Sequence, residues 1–169
     1  MKRSKKRPAP KKKAKAKPAK SRSAAKGSSK KYDGPPLRIG SEFTLEAVVP
    51  HEWTIQAFNP ALPAVLSTPR MIQLMEHATV RAIVDQLPPG AISVGTRIEV
   101  DHLKAVSDGA TVQAHARLVG FKGRFLIFDV EARAGDIVLG RGKVFRAVVE
   151  PAKHGEKARA RASETGAAN

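Results

Sequence analysis

No cysteine occurs in the chain, which excludes disulfides, thiol catalysis and cysteine-ligated metal, and nothing indicates an oxidising compartment. Aromatic residues are scarce, with one Trp, one Tyr and six Phe among 169 residues. No apolar run approaches the roughly 18 residues of a membrane-spanning helix. The basic N-terminus is not followed by the hydrophobic segment of a secretory signal, so the expectation is a cytoplasmic protein. Acidic residues are missing from the most basic region: residues 1–31 hold 15 Lys or Arg and no Asp or Glu. The remaining residues carry 16 basic against 15 acidic side chains, so all but one unit of the formal net charge of +16 belongs to the N-terminal segment. A strongly basic nucleic-acid-binding domain is thereby excluded for the rest of the chain.

Residues 1–31 are built from Lys, Ala, Pro and Ser, with no large apolar residue after Met1. Such a segment cannot bury enough surface to offset its ordering entropy and is expected to be disordered. Its cations suit a polyanion such as nucleic acid, bound without sequence preference because no aromatic is interleaved for stacking; a solubilising tail without a partner is the alternative. Residues 32–40, with Pro35 and Pro36, read as a linker. Residues 41–150 form one domain, and 151–169 read as a flexible, polar C-terminal tail.

Within the domain, Ser41 to Val49 alternates Phe43, Leu45, Ala47 and Val49 with polar residues, the pattern of a strand. Residues His51 to Ser67 then form a long irregular connection of the kind that serves as a lid, containing Trp53 and Phe58. Thr68-Pro69 starts a helix, with Thr68 as its cap, and the helix runs to Gln86 before Pro88-Pro89-Gly90. Four strands follow: Ser93 to Val106, Thr111 to Phe121, Arg124 to Ala132 and Ile137 to Val149. The turns between them contain Asp108-Gly109, Lys122-Gly123 and Gly135-Asp136. Hairpin-length turns demand an antiparallel sheet, and a single helix with an apolar stripe needs one face of it. The fold class is α+β, one long helix wrapped by a curved antiparallel sheet.

Two side chains interrupt the apolar pattern. Glu76 sits at the edge of the helix stripe formed by Met71, Met75, Ala78 and Ala82. His102 shares the helix-facing side of its strand with Val94, Thr96, Ile98 and Val100, with Gly95 on the other side. A carboxylate and an imidazole meeting near a helix N-terminus that bears the Thr68 hydroxyl supply a base or nucleophile, a proton carrier and a positive end for a carbonyl oxygen. Those parts suit acyl transfer or addition of water. Each also has a structural reading: Thr68 as a plain cap, Glu76 reaching solvent, His102 as a satisfied core residue. His51, His77 and His102 lack the spacing of a zinc motif, and the chemistry requires neither metal nor cofactor.

The run Val65-Leu66-Ser67-Thr68-Pro69 with Met71-Ile72-Gln73-Leu74-Met75-Glu76, then Pro88-Pro89-Gly90, Val94-Gly95-Thr96 and Asp101-His102-Leu103, resembles the fluoroacetyl-CoA thioesterase-like family of hot-dog-fold proteins. The likeness covers roughly residues 41–149. It implies a hot-dog homodimer that hydrolyses an acyl-CoA thioester to a carboxylate and CoA. The family's Thr, Glu and His map to Thr68, Glu76 and His102, and its glycine near the substrate carbonyl maps to Gly95. On that reading Thr68 orients the carbonyl or the water, Glu76 is nucleophile or general base, and His102 moves protons; a covalent intermediate and direct attack by water both remain open. Trp53 and Phe58 belong to the lid, while Arg70, Lys122, Arg124 and Arg146 are the candidates for the CoA phosphates. The lid segment His51 to Leu66 matches the namesake enzyme least well, so a short or medium acyl group is expected rather than fluoroacetyl. Two other functions fit the same parts: a hot-dog enoyl-CoA hydratase, and a non-catalytic dimeric acyl-CoA-binding platform with a nucleic-acid-binding tail.

Overall fold

The structure, a computed structural model, describes residues 33–166. The basic segment 1–31, with its expected disorder, lies outside the described residues. Five strands, β1 (Glu42–Val48), β2 (Ile92–His102), β3 (Thr111–Lys122), β4 (Phe125–Ala134) and β5 (Ile137–Val149), form one antiparallel sheet in the order β1-β3-β4-β5-β2. The β3–β4 and β4–β5 hairpins turn through Gly123 (φ 59°) and Gly135 (φ 55°), left-handed positions that favour glycine.

One helix, α1 (Thr68–Arg81), packs on the sheet, mainly on β3 and β1. Its buried face is Met71, Leu74, Met75, Ala78 and Thr79. The facing side of β3 is the predicted alternation: Val112, Ala114, Ala116 and Leu118 are fully buried. The small alanines let the helix lie close, and Phe128 and Leu126 fill the layer beneath. This is the expected α+β arrangement, one long helix wrapped by an antiparallel sheet.

The helix is shorter than expected. It ends at Arg81, Ile83 leaves the helical region (φ −131°, ψ −7°), and Val84–Gln86 continues as a 3-10 turn. That tighter turn brings Gln86 to the N-terminal segment, where its Oε1 accepts from Arg38 N (2.9 Å) and its Nε2 donates to Ser41 Oγ (2.8 Å). The segment read as a linker is accordingly part of the domain: Leu37 is 7% exposed in the core, and Gly40 N donates to Leu118 O at 2.7 Å.

The long connection is also tied down. A 3-10 turn (His51–Trp53) opens it, and bridges pair Thr54 with Leu66 and Val65 with Ser107. Ile55 N donates to Val65 O and Ser67 N to Trp53 O, both at 2.9 Å, so the ends of the loop are clasped and its tip projects. At the other end of the chain, where a polar tail without secondary structure was expected, residues Pro151–Gly166 form a second helix, α2. Pro at its start and the run of Ala, Lys, Arg and Glu favour helix without any apolar stripe to signal it. Among the described residues no helix is long and apolar enough to cross a membrane.

The burial of Leu37 generates a prediction. Leu37→Ala should lower unfolding stability by about 2–3 kcal/mol in urea denaturation, as for other buried leucines; a true linker residue would leave the midpoint unmoved.

Candidate active site

The first turn of α1 is held from three sides. Ser67 is the N-cap in an extended conformation (φ −74°, ψ 146°), its N–H bonded to Trp53 O, while Leu66 N donates to Val106 O at 2.8 Å. No side chain caps the helix, and Ser67 Oγ is the one buried side-chain polar atom without a partner among the described residues. Thr68, expected to be the cap, is the first helical residue, and its hydroxyl is engaged elsewhere: Thr68 Oγ1 lies 2.8 Å from His102 Nδ1.

The other ring nitrogen decides the proton's position. His102 Nε2 lies 3.1 Å from the carbonyl oxygen of Lys104, which can only accept. In the neutral ring Nε2 therefore carries the hydrogen, Nδ1 presents its lone pair, and the Thr68 hydroxyl donates to it. A hydroxyl hydrogen-bonded to an imidazole, with a backbone carbonyl orienting the ring, is a couple able to hold and move a proton.

Glu76 belongs to a second pair. Its side chain is 32% exposed, and Oε1 accepts from Arg146 Nη1 at 3.5 Å. Arg146 is 5% exposed and also ties down β2, with Nε on Ser93 Oγ (3.0 Å) and Nη2 on Ser93 O (2.7 Å). Burial lowers the pKa of this guanidinium, and the Glu76 carboxylate works against that shift. An arginine remains charged in either case. Oε2 of Glu76 has no partner among the described residues and is available to a substrate or water.

Strand β2 places Gly95 against this carboxylate through a bulge. Gly95 pairs with Arg146 and Arg97 with Phe145, leaving Thr96 as the extra residue. The bulge reverses the expected faces before it: Gly95, not Val94, lies on the helix side. A β-carbon at Gly95 would fall on Glu76 Oε1, so glycine is what allows the carboxylate to lie on the strand. Past the bulge, Val100 and His102 face the helix as expected.

The expected trio is therefore two pairs, Thr68 with His102 and Glu76 with Arg146. Thr68 and Glu76 stand eight residues apart on α1, about 12 Å along its axis at 1.5 Å per residue. His102 reaches the first turn and stops there. Of the remaining sequence candidates, Trp53 is half-buried beside the helix start, with the Arg70 guanidinium 6.0 Å from its ring centre and donating to Gln73 Oε1. Phe58 is 72% exposed on the loop tip. Arg124 is exposed in the β3–β4 turn, over the Phe125 ring and beside residues 88–91, at the far end of α1 from Thr68. Lys122 is exposed in the same hairpin. Arg146, expected at a pocket mouth, is instead interior, because it answers the Glu76 charge. Sequence reasoning missed Ser93, the Lys104 carbonyl and this role of Arg146. The signal for Arg146 was its spacing of two from Val144 on a strand, which turns it to the buried side.

A hydroxyl–imidazole couple at the start of the helix packed on the sheet, with a carboxylate two turns on and an antiparallel sheet around it, defines the class: a hot-dog-fold thioester hydrolase. The family model of the fluoroacetyl-CoA-specific thioesterase matches residues 49–152, and the chain belongs to that family. It is similar to the fluoroacetyl-CoA thioesterase of Streptantibioticus cattleyicolor, 38% identical over 129 residues that cover 73% of this chain and 93% of that one. A solved structure of the fluoroacetyl-CoA thioesterase aligns with TM-score 0.68 at 38% identity, over 73% of this chain and 96% of that one. A Thermus thermophilus member of the thioesterase superfamily aligns with TM-score 0.70 at 28% identity, over 79% and 98%. A hot-dog-like protein of Thermanaerovibrio acidaminovorans, at 22% identity and TM-score 0.68 over 74% and 93%, shares the fold.

Gly95→Ala tests the packing of the site. The added methyl must displace the Glu76 carboxylate, so kcat on any accepted thioester should fall at least about tenfold, equivalent to roughly 1.4 kcal/mol, with the thermal midpoint changed much less. Retained activity in a folded variant would refute the contact. Arg146→Met removes the cation paired with the carboxylate, and lower activity and lower stability should appear together.

Proposed function

We propose that this protein hydrolyses a short or medium acyl-CoA thioester to a carboxylate and free CoA. The observation that carries the reading is the Thr68–His102 hydrogen bond at the mouth of α1, with the free oxygen of Glu76 further along the same helix. The thioester carbonyl lies near the helix N-terminus, whose N–H groups and positive dipole end favour charge developing on its oxygen. Thr68 holds the carbonyl or the attacking water. Because Thr68 and Glu76 of one chain stand about 12 Å apart along α1, the two pairs meet at one thioester only across the dimer: Glu76 of the second copy either attacks the carbonyl carbon, giving a mixed anhydride that water then opens, or takes the proton of the attacking water. Both routes break the C–S bond, consume one water and deliver one proton to the CoA sulfur, and His102 is the group that carries it. The relatives named for fluoroacetyl-CoA support the thioester chemistry. The breadth of acyl group rests on the loop, whose Phe58 and Leu62 are exposed.

The working unit is a homodimer joined through β2. This strand is an edge of the sheet, and its Ile92 and Ile98 are 43% and 42% exposed, so its unpaired backbone and apolar side chains favour pairing with a second copy. The cysteine-free chain suits the cytoplasm. Residues 1–31 act apart from the chemistry, as a polyanion-binding segment.

Purified protein tested on a panel of acyl-CoA thioesters, with release of free thiol as readout, should turn over short and medium chains. Glu76→Ala and His102→Ala should each lower kcat by about 10²–10⁴-fold, the usual contribution of a positioned acid or base, and Thr68→Val should also impair turnover. Absent thiol release, or release unchanged in Glu76→Ala and His102→Ala, would sink the reading; loss of enoyl absorbance without thiol release would point to hydration. Sedimentation should give twice the 18.1 kDa chain mass.

A further inference from the structure

The outer face of the sheet, turned away from α1, carries its charges in register. One row crosses all five strands as Glu42, Arg117, Asp129, Lys143 and Glu99, each the direct partner of the next. The signs alternate along it: Arg117 Nε lies 3.8 Å from Glu42 Oε2, and Lys143 Nζ donates to Asp129. Opposite charges directly across from each other stabilise a sheet, and like charges there destabilise it. The row ends on an acid, because β2 is an edge of the sheet.

Around that end the strand is bare. Residues 95–99 are exposed without a break, so neither face of β2 is covered there. Arg97 is the cation of this stretch. Its side chain is 65% exposed, turns back on its own Glu99 and holds its guanidinium carbon 5.4 Å from the Phe145 ring centre. Between the two charges stands Ile98, an exposed apolar side chain on an unpaired edge.

A second copy pairing with β2 antiparallel about a two-fold axis has few registers to choose from, and the charges separate them. An axis at Arg97 sets two arginines against each other. An axis at Glu99 sets acid against acid, and one at Val100 sets Glu99 against Asp101 of the second copy. An axis at Ile98 instead sets each Arg97 against the other copy's Glu99 and brings the two Ile98 side chains together.

We propose that the homodimer is held in this register, with Ile98 on the two-fold axis and the Arg97–Glu99 pairs carrying the charge row across it. The inference rests on the homodimer of the proposed function and adds what aligns it. Thr96 is the extra residue of the bulge, so Gly95 falls opposite Val100 of the second copy, and His102 of that copy stands one helix-side position further on. With strands about 4.8 Å apart and a rise of about 3.3 Å per residue, the backbone of that His102 lies about 8 Å from Gly95. Within one chain the same two positions are about 20 Å apart. The register therefore brings the Glu76–Arg146 pair of one copy to the Thr68–His102 pair of the other.

Because the chain has no cysteine, a single introduced thiol can bridge only to its own copy. Arg97→Cys, Ile98→Cys and Glu99→Cys are each oxidised mildly and resolved on a non-reducing gel. Ile98→Cys should form a covalent dimer about tenfold or more faster than the other two, whose α-carbons then lie beyond the roughly 7 Å that a disulfide can span. Faster bridging at 97 or 99 would overturn the register. Charge reversal tests the pairs themselves: Arg97→Glu and Glu99→Arg should each raise the dimer Kd about tenfold or more in sedimentation, since like charges then face each other across the axis. An equimolar mixture of these two variants should dimerise again as a heterodimer. Within each of its chains residues 97 and 99 have like charge, so the rescue reads the contact between copies and not the one inside a chain. Homodimers of both single variants as tight as the unaltered protein would refute the pairing. A monomer at every concentration would remove the dimer and the register together, whereas a dimer bridged at 98 without thioesterase turnover would support the register and sink only the proposed chemistry.

Discussion

A single helix must bury its apolar face on the sheet while carrying a carboxylate at the margin of that face, and the molecule is arranged around the answer to that conflict. Glu76 is tolerated because Arg146 reaches it from beneath, and Arg146 is tolerated because Ser93 and Glu76 occupy its donors. A buried guanidinium left unpaired would be strongly unfavourable, so the carboxylate and cation hold each other in place. The same contacts lock β2 to β5 and fix where Gly95 stands beneath the helix. The interaction that positions the carboxylate is thus also one that orders the sheet edge.

The second pair has a different economy. Thr68 and His102 are not buried together; they are oriented by backbone. The clasped loop sets the helix mouth through Trp53 and Leu66, and the chain leaving β2 returns the Lys104 carbonyl to the imidazole. Backbone contacts of this kind survive changes of side chain in the loop. Phe58 and Leu62 can therefore vary the fit to the acyl group while the reacting groups stay in register.

Much of this was legible in the sequence because local periodicity and tertiary environment agree there. Thr68-Pro69 marks the helix start, the alternation of Val112, Ala114, Ala116 and Leu118 marks a strand with one buried face, and the glycine turns mark hairpins. The misses lie where a local signal is absent or misleading. Leu37 stands among prolines and glycine and reads as linker although it is core; α2 has strong propensity but no apolar stripe; Arg146 has the chemistry of a surface residue. The helix was extended to Gln86 because a hydrophobic stripe cannot show that a side-chain amide will be drawn to Arg38 and Ser41. The trio was legible as three residues but not as two pairs, since spacing along a helix does not say how far a strand's side chain reaches.

The bulge at Thr96 bears on how function should be traced among related chains. Gly95 and His102 are separated by an odd number of positions, which on a regular strand puts them on opposite faces; one inserted residue brings them to the same one. A relative that keeps the seven-position separation but lacks the bulge could keep every one of the reacting side chains and still aim its imidazole away from the helix. Inheritance of the activity is therefore recorded not only in the identity of the functional residues but in whether the count between them agrees with the presence of the bulge.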